Sequence, residues 1–104
     1  MNGYDIDGVL TAGVKPVPPY VAISGRTHDE FDRTVKQIGT GGAIYLRPFG
    51  AFGDATAAGH WKATLIGLVG VTTFYEDDPT QAAIIRMRCP WCRVVMVKNG
   101  VPQG

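Results

Sequence analysis

"VTTFYEDDPTQAAIIRMR", residues 71–88, holds two kinds of patterning back to back. "VTTFYE" is β-branched and aromatic, as a packed strand requires. Asp78-Pro79 then offers an N-cap followed by proline at the first helical position, where its missing N–H is not needed. A helix to about Arg88 follows. A strand that runs straight into a helix is the repeating unit of an α/β fold with a parallel sheet, and the rest of the chain alternates in the same way.

Downstream, "VVMV" (94–97) reads as the fifth strand and "KNGVPQG" as a tail. Upstream, residues 60–69 read as a helix, apolar at Trp61, Leu65, Leu68 and Val69, and "AIYL" (43–46) as the third strand. The stretch between them, "RPFGAFGDATAAG", is expected to be loop. "YVAIS" (20–24) is the near-continuous apolar run of a strand covered on both faces. "GRTHDEFDRTVKQIG" then reads as helix, with a Thr27–Glu30 capping box, Phe31, Val35 and Ile38 at helical spacing, and Gly39 as the stop. The first strand, about Asn2 to Asp5, is short. Prolines close "AGVKPVPP" (12–19) to helix. Trp61 and Phe31 are expected in the core.

These elements predict one domain over residues 1–104. The chain is 45% hydrophobic and 18% charged, with a formal net charge of +1, which gives no electrostatic case for bulk binding to nucleic acid or membrane. No apolar run reaches the ~18 residues of a membrane span. "MNGYDID" has neither the basic segment nor the apolar region of a signal peptide, so a cytoplasmic protein is expected. Cys89 and Cys92 form "CPWC", which reads as an ordinary helix-to-strand turn; a redox pair or half of a zinc site are the alternatives.

The polar residues concentrate where strands end. Asp5 and Asp7 close the first strand, and alternation would point both to one side. Ser24 ends the second, and Glu76-Asp77-Asp78 the fourth. Ligands of open parallel sheets bind beyond the carboxyl ends of the strands, above all where strand order reverses. If the fourth strand pairs on the far side of the first, that reversal lies between Asp5 and Asp77. Several carboxylates in one crevice repel, and a hard divalent cation that favours oxygen ligands, magnesium, is the natural neutraliser.

"DIDGVLT" (5–11) resembles the first motif of the haloacid dehalogenase superfamily, D-x-D-G-[TV]-L-[TV]. "VAISGRT" is similar to its second, a strand ending in Ser or Thr; "HWKAT" supplies the Lys of its third; "FYEDDPTQA" resembles its fourth. The spelling Asp-Asp-x-Thr-Gln is similar to that of polynucleotide 3′-phosphatases, and the short chain to small members encoded by bacteriophages, which would place it in a host cytoplasm. The resemblance implies a minimal Rossmann-like fold: five parallel strands in the order 5-4-1-2-3 with flanking helices.

It also implies roles. Asp5 would be the nucleophile that forms an aspartyl-phosphate, and Asp7 the acid and base, which needs a raised pKa. Ser24 and the Gly25 amide would hold the phosphoryl oxygens and Lys62 would neutralise them. Magnesium would be held by Asp5, the Asp7 carbonyl and Asp77, with Asp78 acting through water or as the cap of its helix. Gly8, Arg26 and Arg47 stand near enough in sequence to contact substrate. The usual cap positions, residues 8–19 and 47–59, are too short for a cap domain. An open site implies a macromolecular substrate, a nucleotide or nucleic-acid end, or a neighbouring subunit as lid, with Phe49 and Phe52 placed to stack on a base. The expected activity is magnesium-dependent phosphomonoester hydrolysis. The alternatives are a phosphate-binding or regulatory module with weak turnover, and a thiol-redox protein.

Overall fold

A computed structural model describes residues 1–48 and 53–104. Its strands are β1 (Asn2–Tyr4), β2 (Tyr20–Thr27), β3 (Ala43–Arg47), β4 (Thr73–Glu76), β5 (Arg93–Lys98) and β6 (Val101–Pro102); its helices are α1 (Phe31–Ile38), α2 (Ala55–Val69) and α3 (Pro79–Arg88). The architecture is α/β, a mostly parallel sheet in the order β3-β2-β1-β4-β5-β6.

The sheet therefore differs from the expected one in having six strands rather than five, with the order extended at one edge. The segment expected to be a tail folds back antiparallel to β5, pairing Lys98 with Val101 and Val97 with Pro102. Asn99 at φ 50 and Gly100 at φ 76 make the turn, the two left-handed positions that a tight hairpin requires.

Alternation along the strands sorts the core. Val21, Ile23 and Phe74 face Ala63 and Ile66 of α2 and Ile85 of α3 in the main cluster. Each fully buried side chain of this size contributes roughly 1.5–3 kcal/mol. The other face is thinner. Tyr4 and Val97 pack with Val9 and Val14 from the β1–β2 connection, and Ala22 and Leu46 pack with Ile6, with Ile38 of α1 against them.

Three boundaries move, each for a local reason. α2 begins at Ala55, not His60, because Asp54 caps it, accepting the N–H of Thr56 at 3.0 Å and of Ala57 at 3.3 Å. β2 runs on to Thr27, and its register against β3 shifts between Ile23 and Thr27, so Ser24, Gly25 and Arg26 bulge from the ladder. α1 accordingly starts at Phe31, after a tight turn in which Glu30 accepts the Thr27 N–H at 3.1 Å. Phe31 and Leu68 are exposed, at 48% and 79%, rather than in the core. The buried stripe of α2 passes instead through Ala58, Lys62, Ala63, Leu65 and Ile66, while Trp61 packs at the core's edge.

Candidate active site

β1, β2 and β4 are neighbours, and their carboxyl ends open on a cleft of about 270 Å³ lined by Asp5, Ser24, Lys62 and Asp77. Asp7, Gly25, Arg26 and Asp78 also border it. The parallel ladder builds this: Tyr4 is in register with Ala22 and Tyr75, so the residues that follow each strand emerge side by side.

The deepest part is a knot of charges. Lys62 Nζ lies 3.0 Å from Asp5 Oδ1 and 2.8 Å from Glu76 Oε2, and all three residues are buried. Ile6 N–H donates to Asp5 Oδ1 at 2.8 Å. Glu76 Oε1 accepts the backbone N–H groups of Asp77 at 3.0 Å and Asp78 at 3.2 Å. Burial would push the Lys62 ammonium towards neutrality, but the carboxylates of Asp5 and Glu76 outweigh it and raise its pKa above the ordinary value. Burial pushes the Asp5 carboxyl well above the usual range, with Lys62 pulling it back and Glu76 adding to the rise. Glu76 was expected only to sit near the crevice, without a duty. Its signal was available: a glutamate pointing inward from an apolar strand needs a buried cation, and Lys62 is that cation.

Oxygen atoms of Asp5, Glu76 and Asp77 lie within 4.8 Å of one another. Glu76 is held by Lys62 and two backbone amides and is not part of the cleft wall, whereas Asp5 and Asp77 both line the cleft. The exposed Asp77 carboxylate makes no hydrogen bond or ion pair among the described residues. Gly8 explains how it gets so close to the first loop: a Cβ there would stand 1.9 Å from Asp77 Oδ2, and φ is +78. This all-oxygen pair, with a cation on one side only, suits a hard divalent ion such as magnesium.

Asp78 takes the capping role that Asp78-Pro79 predicts, whereas Asp7 departs from expectation in the partner and the pKa of its carboxylate. Asp78 Oδ1 caps α3, accepting the N–H of Thr80 at 2.8 Å and of Gln81 at 3.1 Å. Asp7 borders the same cleft as Asp5, although the paired strand ends at Tyr4. Its carboxylate is gripped by Arg26, Nε at 3.0 Å and Nη2 at 2.7 Å. This fork lowers the Asp7 pKa, the reverse of the expected rise.

Arg26 is itself held by Thr34 Oγ1 at 2.9 Å and Gln37 Oε1 at 2.6 Å. Ser24 Oγ, buried in the bulge, accepts the Arg26 N–H at 3.0 Å and faces the cleft. Arg47 stands behind this loop rather than on the cleft wall, its Nε donating to the Gly25 carbonyl at 2.9 Å. Gln81 is a cleft residue that the sequence reading missed; its Oε1 is buried without a hydrogen-bond partner among the described residues. Phe49 and Phe52 lie outside the described residues.

The "CPWC" pair is away from this cleft. Both thiols are free and buried, and Cys89 Sγ donates to the Ala63 carbonyl at 3.3 Å. Burial pushes both pKa values up, Cys92 to about 11, which suits an inert turn and not a reactive thiolate.

Comparisons with family models, curated proteins and solved structures each return no match. Among the described residues, no helix is long and apolar enough to cross a membrane.

Proposed function

We propose that the chain is a magnesium-dependent phosphomonoesterase of the haloacid dehalogenase type, without a cap domain. The observation that carries this reading is the meeting of Asp5 and Asp77 beside Lys62, three residues brought together from distant parts of the chain. Their order along the chain, with Ser24 between, is also that of the motifs the sequence resembles.

Magnesium, when bound, would offset the charge of the two aspartates and of the phosphoryl oxygens. An Asp5 carboxylate oxygen attacks phosphorus, the bond from phosphorus to the alcohol oxygen breaks, and Asp7 gives that oxygen its proton. Water then attacks the phosphoryl group on Asp5, passing its proton to Asp7. Inorganic phosphate leaves and the Asp5 carboxylate is restored. Lys62 holds Asp5 in position and counters the charge that builds on the phosphoryl oxygens. Ser24 Oγ and the Gly25 amide hold those oxygens from the bulge. Arg26 must release Asp7 before the acid role is available, and an incoming phosphoryl anion is the competing partner that would draw it off. The favoured substrate class is a nucleotide or nucleic-acid terminal phosphate, in a cytoplasm, a phage host's included.

One observation favours a second reading, a phosphate-binding module with weak turnover: the Arg26 fork on the carboxylate that should act as acid. An aryl phosphate assay separates the two. The enzyme reading expects magnesium-dependent release of phosphate that Asp5→Asn lowers about a thousandfold or more. Phosphate binding without release, in the wild type with saturating magnesium, would establish the module instead.

A further inference from the structure

Two more hollows lie beyond the cleft, the first adjoining it and the second adjoining the first, and together they make a path. The first, about 510 Å³, is lined by Gly8, Ala12, Asp77, Lys98 and Asn99. It shares Asp77 with the catalytic cleft. The second, about 370 Å³, is lined by Tyr4, Val14, Lys15, Val17 and Tyr75. Gly100 belongs to both. At that seam the β5–β6 turn passes so near the first connection that a Cβ on Gly100 would stand 2.4 Å from the Ala12 carbonyl oxygen. The path therefore runs from Asp77, over the hairpin turn, to an aromatic floor.

The chemistry along it is specific. Lys98 borders the first hollow and Lys15 the second; both are exposed, and neither has an ion-pair partner among the described residues. Tyr75 is half-buried, stacked on Tyr4 at 4.6 Å with an interplanar angle of 5°, which fixes it as a rigid platform. Tyr4 is locked in turn by Tyr20 edge-on at 5.7 Å and by the Val17 N–H donating to its hydroxyl at 3.0 Å. Unpaired cations spaced along a groove with a fixed aromatic ring are the elements that hold single-stranded nucleic acid: cations for successive phosphates, rings for bases. A small sugar phosphate would need neither.

We propose that the two hollows bind the last nucleotides of a single-stranded nucleic acid whose terminal phosphate lies at Asp5, with Lys98 and Lys15 on backbone phosphates and a base against Tyr75. This rests on the phosphatase reading for the position of the terminal phosphate, but the path can be tested without turnover.

The probe is a fluorescein-labelled thymidine tetranucleotide, with and without a terminal phosphate, in DNA and RNA forms, titrated by anisotropy against the Asp5→Asn protein. Binding of the unphosphorylated tetramer is expected, weakening about tenfold or more in Lys15→Ala/Lys98→Ala. The slope of log affinity on log salt should shrink by about 1.4, two phosphate contacts on a single strand. Tyr75→Leu should weaken binding without changing that slope, and thermal unfolding of each variant checks that it is folded. Absent tetramer binding, or binding and a salt slope that the lysine pair leaves unchanged, would overturn the proposal. If lysine-dependent binding occurs while wild type fails to hydrolyse aryl phosphate, the path stands and the phosphatase reading falls. Hydrolysis without tetramer binding leaves the phosphatase standing and removes the path.

Discussion

Lys62 and Arg26 both bring positive charge to the cleft, and they are held in contrasting ways. Lys62 is buried between two buried carboxylates, Asp5 and Glu76. The Arg26 side chain is as hidden, at 6% exposure, but its partner Asp7 is 65% exposed. Inside the protein, an ion loses its hydration and depends on its partners; at the surface, water replaces a lost partner at little cost. The first arrangement fixes the Asp5 carboxylate in place. The second leaves a carboxylate that can be released and resolvated, as the acid and base role proposed for Asp7 would require.

That contrast is most exposed to failure at Lys62. Lys62→Met should leave Asp5 and Glu76 buried without a cation and destabilise the domain by about 3–5 kcal/mol, a large part of the stability of a chain this size. Denaturant unfolding of wild type and variant measures it. A loss below about 1 kcal/mol would mean that the knot is not electrostatically constrained at all. Partial recovery is expected from Glu76→Gln on the Lys62→Met background, because one uncompensated charge is removed.

Gly8→Ala tests the close approach that brings Asp77 to the same site. The left-handed φ and the collision with the Asp77 carboxylate should cost about 1–3 kcal/mol. Asp77 should also be displaced, so that added magnesium raises the unfolding midpoint less in the variant than in wild type. Equal stabilisation by magnesium in both would remove Asp77 from the proposed metal site.

A smaller effect is expected at the outer pair. Arg26→Met should cost about 1 kcal/mol, since the Asp7 carboxylate meets water when the fork is lost. Its value lies in activity. If the fork restrains the acid, aryl phosphate turnover rises or holds while phosphate binding weakens. If Arg26 orients Asp7 in the productive place, turnover falls with little change in KM.

How much of this the sequence disclosed varies with the physics at each place. α3 was readable to the residue, because Asp78 and Pro79 act on their immediate neighbours. The meeting of Asp5, Lys62 and Asp77 was readable through motif order and the strand-end rule. The β5–β6 hairpin was missed although Asn99-Gly100 announces it, since two short exposed strand residues carry no periodicity. The early start of α2 was missed because Asp54 follows a glycine-rich run that reads as loop. Glu76 as the second partner of Lys62, and Arg26 as the partner of Asp7, depend on which side chains meet across the sheet ends. Strand alternation marks Glu76 as pointing inward with Phe74, and so as needing a cation, but no local pattern names the partner.

The cysteines supply the uncharged limit of the same comparison. Cys92 is buried and makes no ion pair among the described residues, and burial, with Cys89 adding, outweighs the pull of the chain's N-terminal ammonium and pushes its thiol up to about 11. Because its folded pKa stands above the unfolded value of about 8.5, the thiol's contribution to stability is complete below about pH 8.5 and fades as pH rises from there towards the folded value. The stability difference between wild type and Cys92→Ala should therefore shrink between about pH 7 and about pH 10 in denaturant titrations. Native protein should also react slowly with a thiol reagent at neutral pH, and fast once unfolded. Rapid labelling of the native pair would show that burial there does not suppress ionisation. It would reopen "CPWC" as a reactive site, and it would weaken the rule that separates Lys62 from Arg26: a buried charge survives in this fold only where an opposite charge is built in beside it.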